Sequence, residues 1–173
     1  MGDVDQLHRC LMLVLDSIDP NSVAPELVRE GKVGYSLELL RKRAFGKSSF
    51  ALGAFESRRL VAFLWGWSGR EGVFMVDWMG VLPEHRRRGV GRALLARLEA
   101  YAKAQSGIYK ITLFATASNL DTQKVYVSHG YRLEGVHPNH FFGYDFVSFG
   151  KIVQSRPKGR RELRRRSEPE SGT

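Results

Sequence analysis

The feature that most constrains this chain is the junction at residues 81–92, Val-Leu-Pro-Glu-His-Arg-Arg-Arg-Gly-Val-Gly-Arg. Upstream of it the apolar residues come in short strand-like runs. Downstream, Leu94, Leu95, Leu98, Tyr101 and Ala102 recur at helical spacing. A strand therefore passes into a helix through a turn that carries three arginines and two glycines. A helix placed between two strands predicts a parallel crossover in a mixed sheet. The first turn of a helix has N–H groups without partners, and the aligned peptide dipoles put positive potential there. Glycines let an anion approach the backbone closely. The junction thus reads as an anion site suited to a diphosphate, with Arg86, Arg88 and Arg92 adding charge. A P-loop is excluded, because no Gly-Lys-Ser/Thr ending is present. A dinucleotide fingerprint would need glycine at 94, where leucine stands. The competing reading is a plain helix start with a solvated basic run. The Arg-x-x-Gly-x-Gly spacing, the Val-x-Pro upstream and the strand-to-helix context favour the anion site.

Pattern places the remaining elements. Residues 3–17 predict a helix whose buried face holds Leu7, Leu11, Val14, Leu15 and Ile18. Asp19-Pro20-Asn21-Ser22 breaks it. Residues 25–45 predict one or two short helices, with Tyr35, Leu37, Leu39 and Leu40 as the apolar part. Residues 50–56 and 60–67 predict a hairpin. Residues 73–81 predict a third strand, with Val73, Met75, Asp77, Met79 and Val81 on one face and Phe74, Val76, Trp78 and Gly80 on the other. A helix over 91–105 follows, in which Glu99 precedes Lys103 by four residues. Residues 108–115 predict a strand and 120–129 a short helix. Residues 131–136 and 144–153 predict two last strands, joined by a loop through Pro138 and Gly143. The expected fold class is α/β (α+β): a single domain over residues 1–155 with a mixed, mostly antiparallel sheet flanked by helices.

Composition narrows the rest. A chain of 173 residues builds one domain. No apolar run approaches the roughly 20 residues of a membrane-spanning helix. The early apolar run follows Asp3 and Asp5 rather than a basic segment, so a cytoplasmic protein is expected. The single cysteine, Cys10, excludes an internal disulfide framework and a Cys-rich zinc site. The formal net charge is +9. Much of it lies in residues 156–173, where Arg156, Lys158, Arg160, Arg161, Arg164, Arg165 and Arg166 face only three glutamates. That tail is expected to be disordered in isolation. A basic chain attracts an anionic cofactor or a nucleic acid, and charge alone does not separate them.

Two stretches in this order resemble one family. Residues 81–92 resemble the acetyl-CoA signature of the GNAT superfamily of N-acetyltransferases: Arg86-x-x-Gly89-x-Gly91 stands where that family has Arg/Gln-x-x-Gly-x-Gly/Ala. Residues 119–131 resemble the family's later motif, with Asn119, then Tyr126, then Gly130-Tyr131. The resemblance covers residues 50–153 and implies a GNAT-like fold. It implies that Arg86, Arg87, Arg88, Gly89, Val90, Gly91 and Arg92 surround the coenzyme A pyrophosphate, with Asn119 also at the cofactor. It further implies that Met79 to Val81 splay from the neighbouring strand and pair with the pantetheine arm, with Gly80 suited to a bulge there. The family usually opens with an edge strand; before residue 50 no convincing one is found, and residues 10–15 could be that strand or helix.

The implied reaction moves an acetyl group from acetyl-CoA to a primary amine of a small molecule or a protein. By resemblance Tyr126 is the general acid toward the leaving thiolate and the Val81 N–H faces the developing oxyanion. Otherwise Tyr126 is a core tyrosine. Asp77 is the candidate base, because acids are disfavoured in strands; otherwise it is a structural ion pair to an arginine. Glu84 is held in reserve. His85, His129, His137 and His140 read as turn residues, and His140 with Phe141 and Phe142 could border the acceptor cleft. Pro138 argues against a helical His-x-x-His metal pair, so no metal is expected. A nucleic-acid- or ribosome-associated module, resting on the basic tail, is the reading from another class. A non-catalytic acyl-CoA-binding fold is a third, against which Asn119 and Tyr126 speak together.

Overall fold

A computed structural model describes residues 4–44, 46, 48–69 and 71–155. The basic tail lies outside the described residues. Three helices come first: α1 (Val4–Asp16), α2 (Pro25–Gly34) and α3 (Leu37–Ala44). The strands are β1 (Ser49–Glu56), β2 (Arg59–Ser68), β3 (Val73–Val81), β4 (Lys110–Thr116), β5 (Arg132–Phe141) and β6 (Tyr144–Ile152). Helix α4 (Val90–Ala104) joins β3 to β4, and α5 (Leu120–Ser128) joins β4 to β5. The six strands form one sheet in the order β1-β2-β3-β4-β6-β5. Every pairing is antiparallel except β3 with β4, which the α4 crossover makes parallel. Among the described residues no strand precedes β1, and no helix is long and apolar enough to cross a membrane.

The sheet separates two apolar layers. On one face Leu94, Leu95, Leu98 and Ala102 of α4 pack with Tyr126 of α5 against Ala62, Leu64, Phe74, Val76, Ile111 and Phe149. On the other, Leu7, Leu11, Val14 and Leu15 of α1 join Tyr35 and Leu40 against Val61, Phe63 and Trp65. The buried stripes of α1 and α4 are those that the helical spacing predicts.

Three details differ from the sequence reading. In β3, Trp78 pairs with Trp65 but Val76 pairs with Gly66, so Asp77 is an extra residue that opposes nothing on β2. This bulge sits at Asp77, while Gly80 keeps regular pairing with Phe63. The extra residue breaks the two-residue alternation. Phe74 and Val76 on one side of it, and Met79 and Val81 on the other, all face α4, whereas Trp78 belongs to the α1–α3 layer. Second, Glu99 turns from Lys103 to Lys151 of β6 at 2.7 Å, and that ammonium also donates to the His129 carbonyl. A partly buried bridge closed by a second acceptor outweighs an exposed helical pair. Third, β5 runs on through Pro138, and the β5–β6 turn is only Phe142-Gly143, both with positive φ. Proline is tolerated there because β5 is an edge strand.

Gly66 makes the bulge possible. A Cβ on it would overlap the Met75 carbonyl oxygen and lie 2.9 Å from Val76 Cα. Gly66→Ala is therefore expected to destabilise the protein by about 1–3 kcal/mol through overpacking. Gly34→Ala, with nothing within 4 Å of the added carbon, is expected to change stability by less than about 1 kcal/mol. Chemical denaturation of the two variants beside the parent checks this, and equal midpoints would contradict the bulge.

Candidate active site

The parallel contact between β3 and β4 is short. It consists of Val73 with Lys110, Phe74 with Ile111 and Met75 with Thr112. Beyond Met75, residues 76–81 pair only with β2; beyond Thr112, residues 113–116 pair only with β6. A gap therefore opens toward the carboxyl ends of both strands, where ligands of parallel sheets commonly bind. The turn after β3 brings the amino end of α4 to its mouth.

That turn is shaped for an anion. Pro83–His85 form one turn of 3-10 helix. Arg87 then takes φ 61° and Gly89 φ 81°. Left-handed residues alternating with a negative-φ one, here Arg88, gather backbone N–H groups into a concave nest. None of the six amides of residues 87–92 donates to a described group; the first to do so is Ala93, to the Gly89 carbonyl at 2.9 Å. Gly89 caps α4 without a side chain. A Cβ on Gly89 would meet nothing within 4 Å, and one on Gly91 would meet only Val81 Cγ2 at 3.7 Å. The space above these glycines is thus open, and a diphosphate fits the donors that line it. Arg87, Arg88 and Arg92 are exposed, and none has an ion pair among the described residues. Arg86 is different: its Nε donates to the Val81 carbonyl at 3.0 Å and its guanidinium reaches Ser17 beyond α1. It ties the end of β3 to the first helix and does not turn toward the amides.

Across the gap, Asn119 caps α5: its side-chain oxygen accepts from the Thr122 amide at 3.1 Å. Two turns later Tyr126 is 5% exposed, its ring 6.3 Å from that of Tyr131 and edge-on to Phe149 at 5.6 Å. Burial pushes its phenol well above the ordinary range. Its hydroxyl has no hydrogen bond to a described group, yet it is not among the fully enclosed orphan atoms as the Tyr131 hydroxyl is.

The bulge aims Asp77 into the α1–α3 layer. Its Oδ1 accepts from the Tyr35 hydroxyl at 3.2 Å and its Oδ2 from Trp65 Nε1 at 3.0 Å. Arg43 of α3 stands 4.0 Å from Oδ2 and donates to the Tyr35 hydroxyl at 3.3 Å. Burial, and then the Asp77 charge, push the Tyr35 phenol up to about 12. Sequence reading missed Tyr35, Trp65 and Arg43 as partners of this acid. The available signal was the acid itself, since a carboxylate in a buried strand requires donors. Glu84 is instead half-exposed and bridged to Arg59 at 3.1 Å. A hydrogen bond from its own backbone, ahead of the Arg59 charge, lowers its pKa. His85 is buried 3.9 Å from Glu56. His129 closes α5, at its carboxyl end. His137 meets Ser148 Oγ at 2.8 Å, and His140 stacks on Phe114 at 5.6 Å. No cluster of three metal-ligating side chains occurs among the described residues.

Solved structures share this architecture. PaiA N-acetyltransferase from Thermoplasma acidophilum, in complex with coenzyme A, superposes with a TM-score of 0.73 at 20% identity, covering 87% of this chain and 92% of that one. The ribosomal-protein-S18-alanine N-acetyltransferase from Escherichia coli gives 0.68 at 17% identity, covering 92% and 94%. An aminoglycoside 6'-N-acetyltransferase complexed with coenzyme A gives 0.65 at 19% identity, covering 89% and 92%. At these identities the likeness is one of fold. A comparison with curated protein sequences returned no match. The model of the acetyltransferase (GNAT) family matches residues 20–131, a span that takes in α2 to α5 with both motifs, and this chain belongs to that family.

Proposed function

We propose that this protein is an acetyl-CoA-dependent N-acetyltransferase acting on a primary amine of a small molecule or a protein. The observation that carries the proposal is the row of six unpartnered amides at residues 87–92, at the mouth of the gap between β3 and β4. Oriented amides at a helix start are a ready site for a diphosphate, and Arg87, Arg88 and Arg92 supply the counter-charge. Residues 76–81 have no strand on the β4 side, so Met79 and the Val81 N–H are open there to an extended amide-bearing arm, while the Val81 carbonyl accepts from Arg86 Nε. Asn119 contributes at the far wall of the gap by fixing the start of α5.

When bound, acetyl-CoA supplies the thioester whose carbon–sulfur bond breaks as the carbon–nitrogen bond to the amine forms. The chain's residues manage the protons and the charge. Asp77 takes the proton that the amine nitrogen loses, directly or through water. The Val81 N–H donates to the oxygen on which charge develops. Tyr126 gives its phenolic proton to the departing sulfur. Burial that raises the Tyr126 phenol also penalises a thiolate beside it, so the two proton affinities rise together and the transfer stays feasible.

Gly91→Glu places a carboxylate among the amides without a steric clash in the protein. It is expected to weaken acetyl-CoA binding at least about tenfold, or about 1.4 kcal/mol, with little change in melting temperature. Unchanged affinity by calorimetric titration would sink the assignment of the donor site. Tyr126→Phe is expected to lower kcat by about 10²-fold or more, a typical loss for a general acid, while the acetyl-CoA Kd stays within about twofold. A kcat equal to that of the parent, by thiol release over an amine panel, would return Tyr126 to the core. Asp77→Asn is expected to lower kcat about 10²-fold near neutral pH. The deficit should shrink above about pH 9, where more of an amine with a pKa near 10 is already deprotonated. A loss of the same size at every pH would point to a purely structural Asp77.

A further inference from the structure

The surroundings of Asp77 say something about the acceptor, on the reading that Asp77 serves the amine. A carboxylate has about four acceptor positions. Tyr35 and Trp65 fill one on each oxygen, both as neutral donors. Among the described residues the cation nearest to the remaining positions is Arg43, whose NH1 stops 4.0 Å from Oδ2. That is the outer limit of an ion pair and too long for a hydrogen bond. Its guanidinium carbon lies 5.2 Å from the centre of the Tyr35 ring, and the edges of Trp65 and Trp78 meet that ring at 5.8 and 5.6 Å. Carboxylate and electron-rich rings together form a pocket for a cation. Its floor is fixed, since Trp65 is fully buried and the Asp77 side chain only 14% exposed. Its present cation is held less firmly, by a 3.3 Å hydrogen bond to the Tyr35 hydroxyl, with the Arg43 side chain 47% exposed on the last turn of a short helix.

We infer that Arg43 is an internal stand-in for the acceptor, and that the ammonium of an unhindered primary amine displaces it to bind against Asp77 and the Tyr35 ring. The exchange replaces one positive charge with another, so Asp77 is never left without a cation. A compact ammonium carries three donors and can approach the open positions to about 2.8 Å, which the planar guanidinium does not do here. An exposed arginine returns to water at little cost. Asp77 lies on β3 just past the last pair with β4, so an amine held there borders the gap where the thioester would lie. Arg43 thereby sets a threshold: an acceptor must out-compete it, which favours amines of full positive charge over neutral or anionic ones.

The test uses n-butylammonium as the probe, with n-butanol as the uncharged control. Binding is read from tryptophan fluorescence, since Trp65 and Trp78 line the pocket. Arg43→Gln is expected to bind the probe about fivefold or more tighter than the parent, the scale of one exposed cation–π contact. Arg43→Lys, which keeps a competing cation, should bind the probe no more tightly than the parent, and n-butanol should not bind. Adding Asp77→Asn to Arg43→Gln should abolish the gain. Equal or weaker binding by Arg43→Gln, or a gain that survives Asp77→Asn, overturns the inference. Because Arg43 is at the surface, Arg43→Gln folds and decides the matter even if the double variant does not. Acetyl-CoA titrations of the same samples keep the two proposals apart: parent protein that binds no acetyl-CoA defeats the acetyltransferase reading, whereas unaltered amine affinity in Arg43→Gln defeats only the stand-in.

Discussion

Two parallel strands that share only three residue pairs leave a backbone edge inside a protein with nothing to bond. Beyond Met75, β3 keeps β2 on one side and has no strand on the other. Buried amide and carbonyl groups are almost always satisfied in a native fold, so an open edge of this kind is an expense that something else must justify. The surrounding structure is organised to hold it open. The α4 crossover packs Leu94, Leu95 and Leu98 under the β3 face. Arg86 fixes the Val81 carbonyl and reaches across to Ser17. On the far side β4 is held by seven pairs to β6, from Lys110 to Thr116. Neither wall depends on the other, and a chain of ligand atoms can stand between them without unfolding either.

The same logic connects the gap to the nest at its mouth. A helix start usually takes a side-chain cap for its free amides, and α5 does so through Asn119. Helix α4 does not: Gly89 in the left-handed region supplies no oxygen. Arg87 also adopts positive φ, which costs a non-glycine residue free energy and persists only where the surroundings enforce it. Helix α2 also starts without a side-chain cap, on Ala24; what sets α4 apart is the run of six amides at residues 87–92 with no partner among the described residues.

What was legible in the sequence was local. Gly89 and Gly91 encode a backbone shape within a few residues, and the buried stripes of α1 and α4 follow directly from apolar spacing. The order of strands and helices, and the parallel crossover, follow from the same patterns. What escaped was non-local. Residues on both faces of β3 are apolar, so inserting Asp77 leaves no mark in the pattern; the only trace is Gly66 on the partner strand, where a Cβ would strike the bulged backbone. Lys151 outcompetes Lys103 for Glu99 from 52 positions away. Tyr35 meets Asp77 across 42 positions, and no spacing rule links a short helix to a strand so distant.

This division runs through the function as well. The donor side needs a fixed shape for an invariant diphosphate, and a fixed shape can be written in one short motif. On the proposed reading, the acceptor side has only to present a carboxylate and a wall, and the wall can come from any element that packs on that face of the sheet. Here the bulge turns Asp77 toward α2 and α3, and that segment answers with Tyr35, which caps the end of α2, and Arg43 of α3. Substitution in α2 or α3 can therefore change what faces Asp77 while the nest and the gap stay as they are. The sheet keeps the two halves mechanically separate: one apolar layer holds α4 and its amides, and the other holds the helices that meet the acid. On the proposed reading, a fold divided in this way can vary its acceptor without rebuilding its donor site, because the residues that would change and those that must not belong to different layers of the sheet.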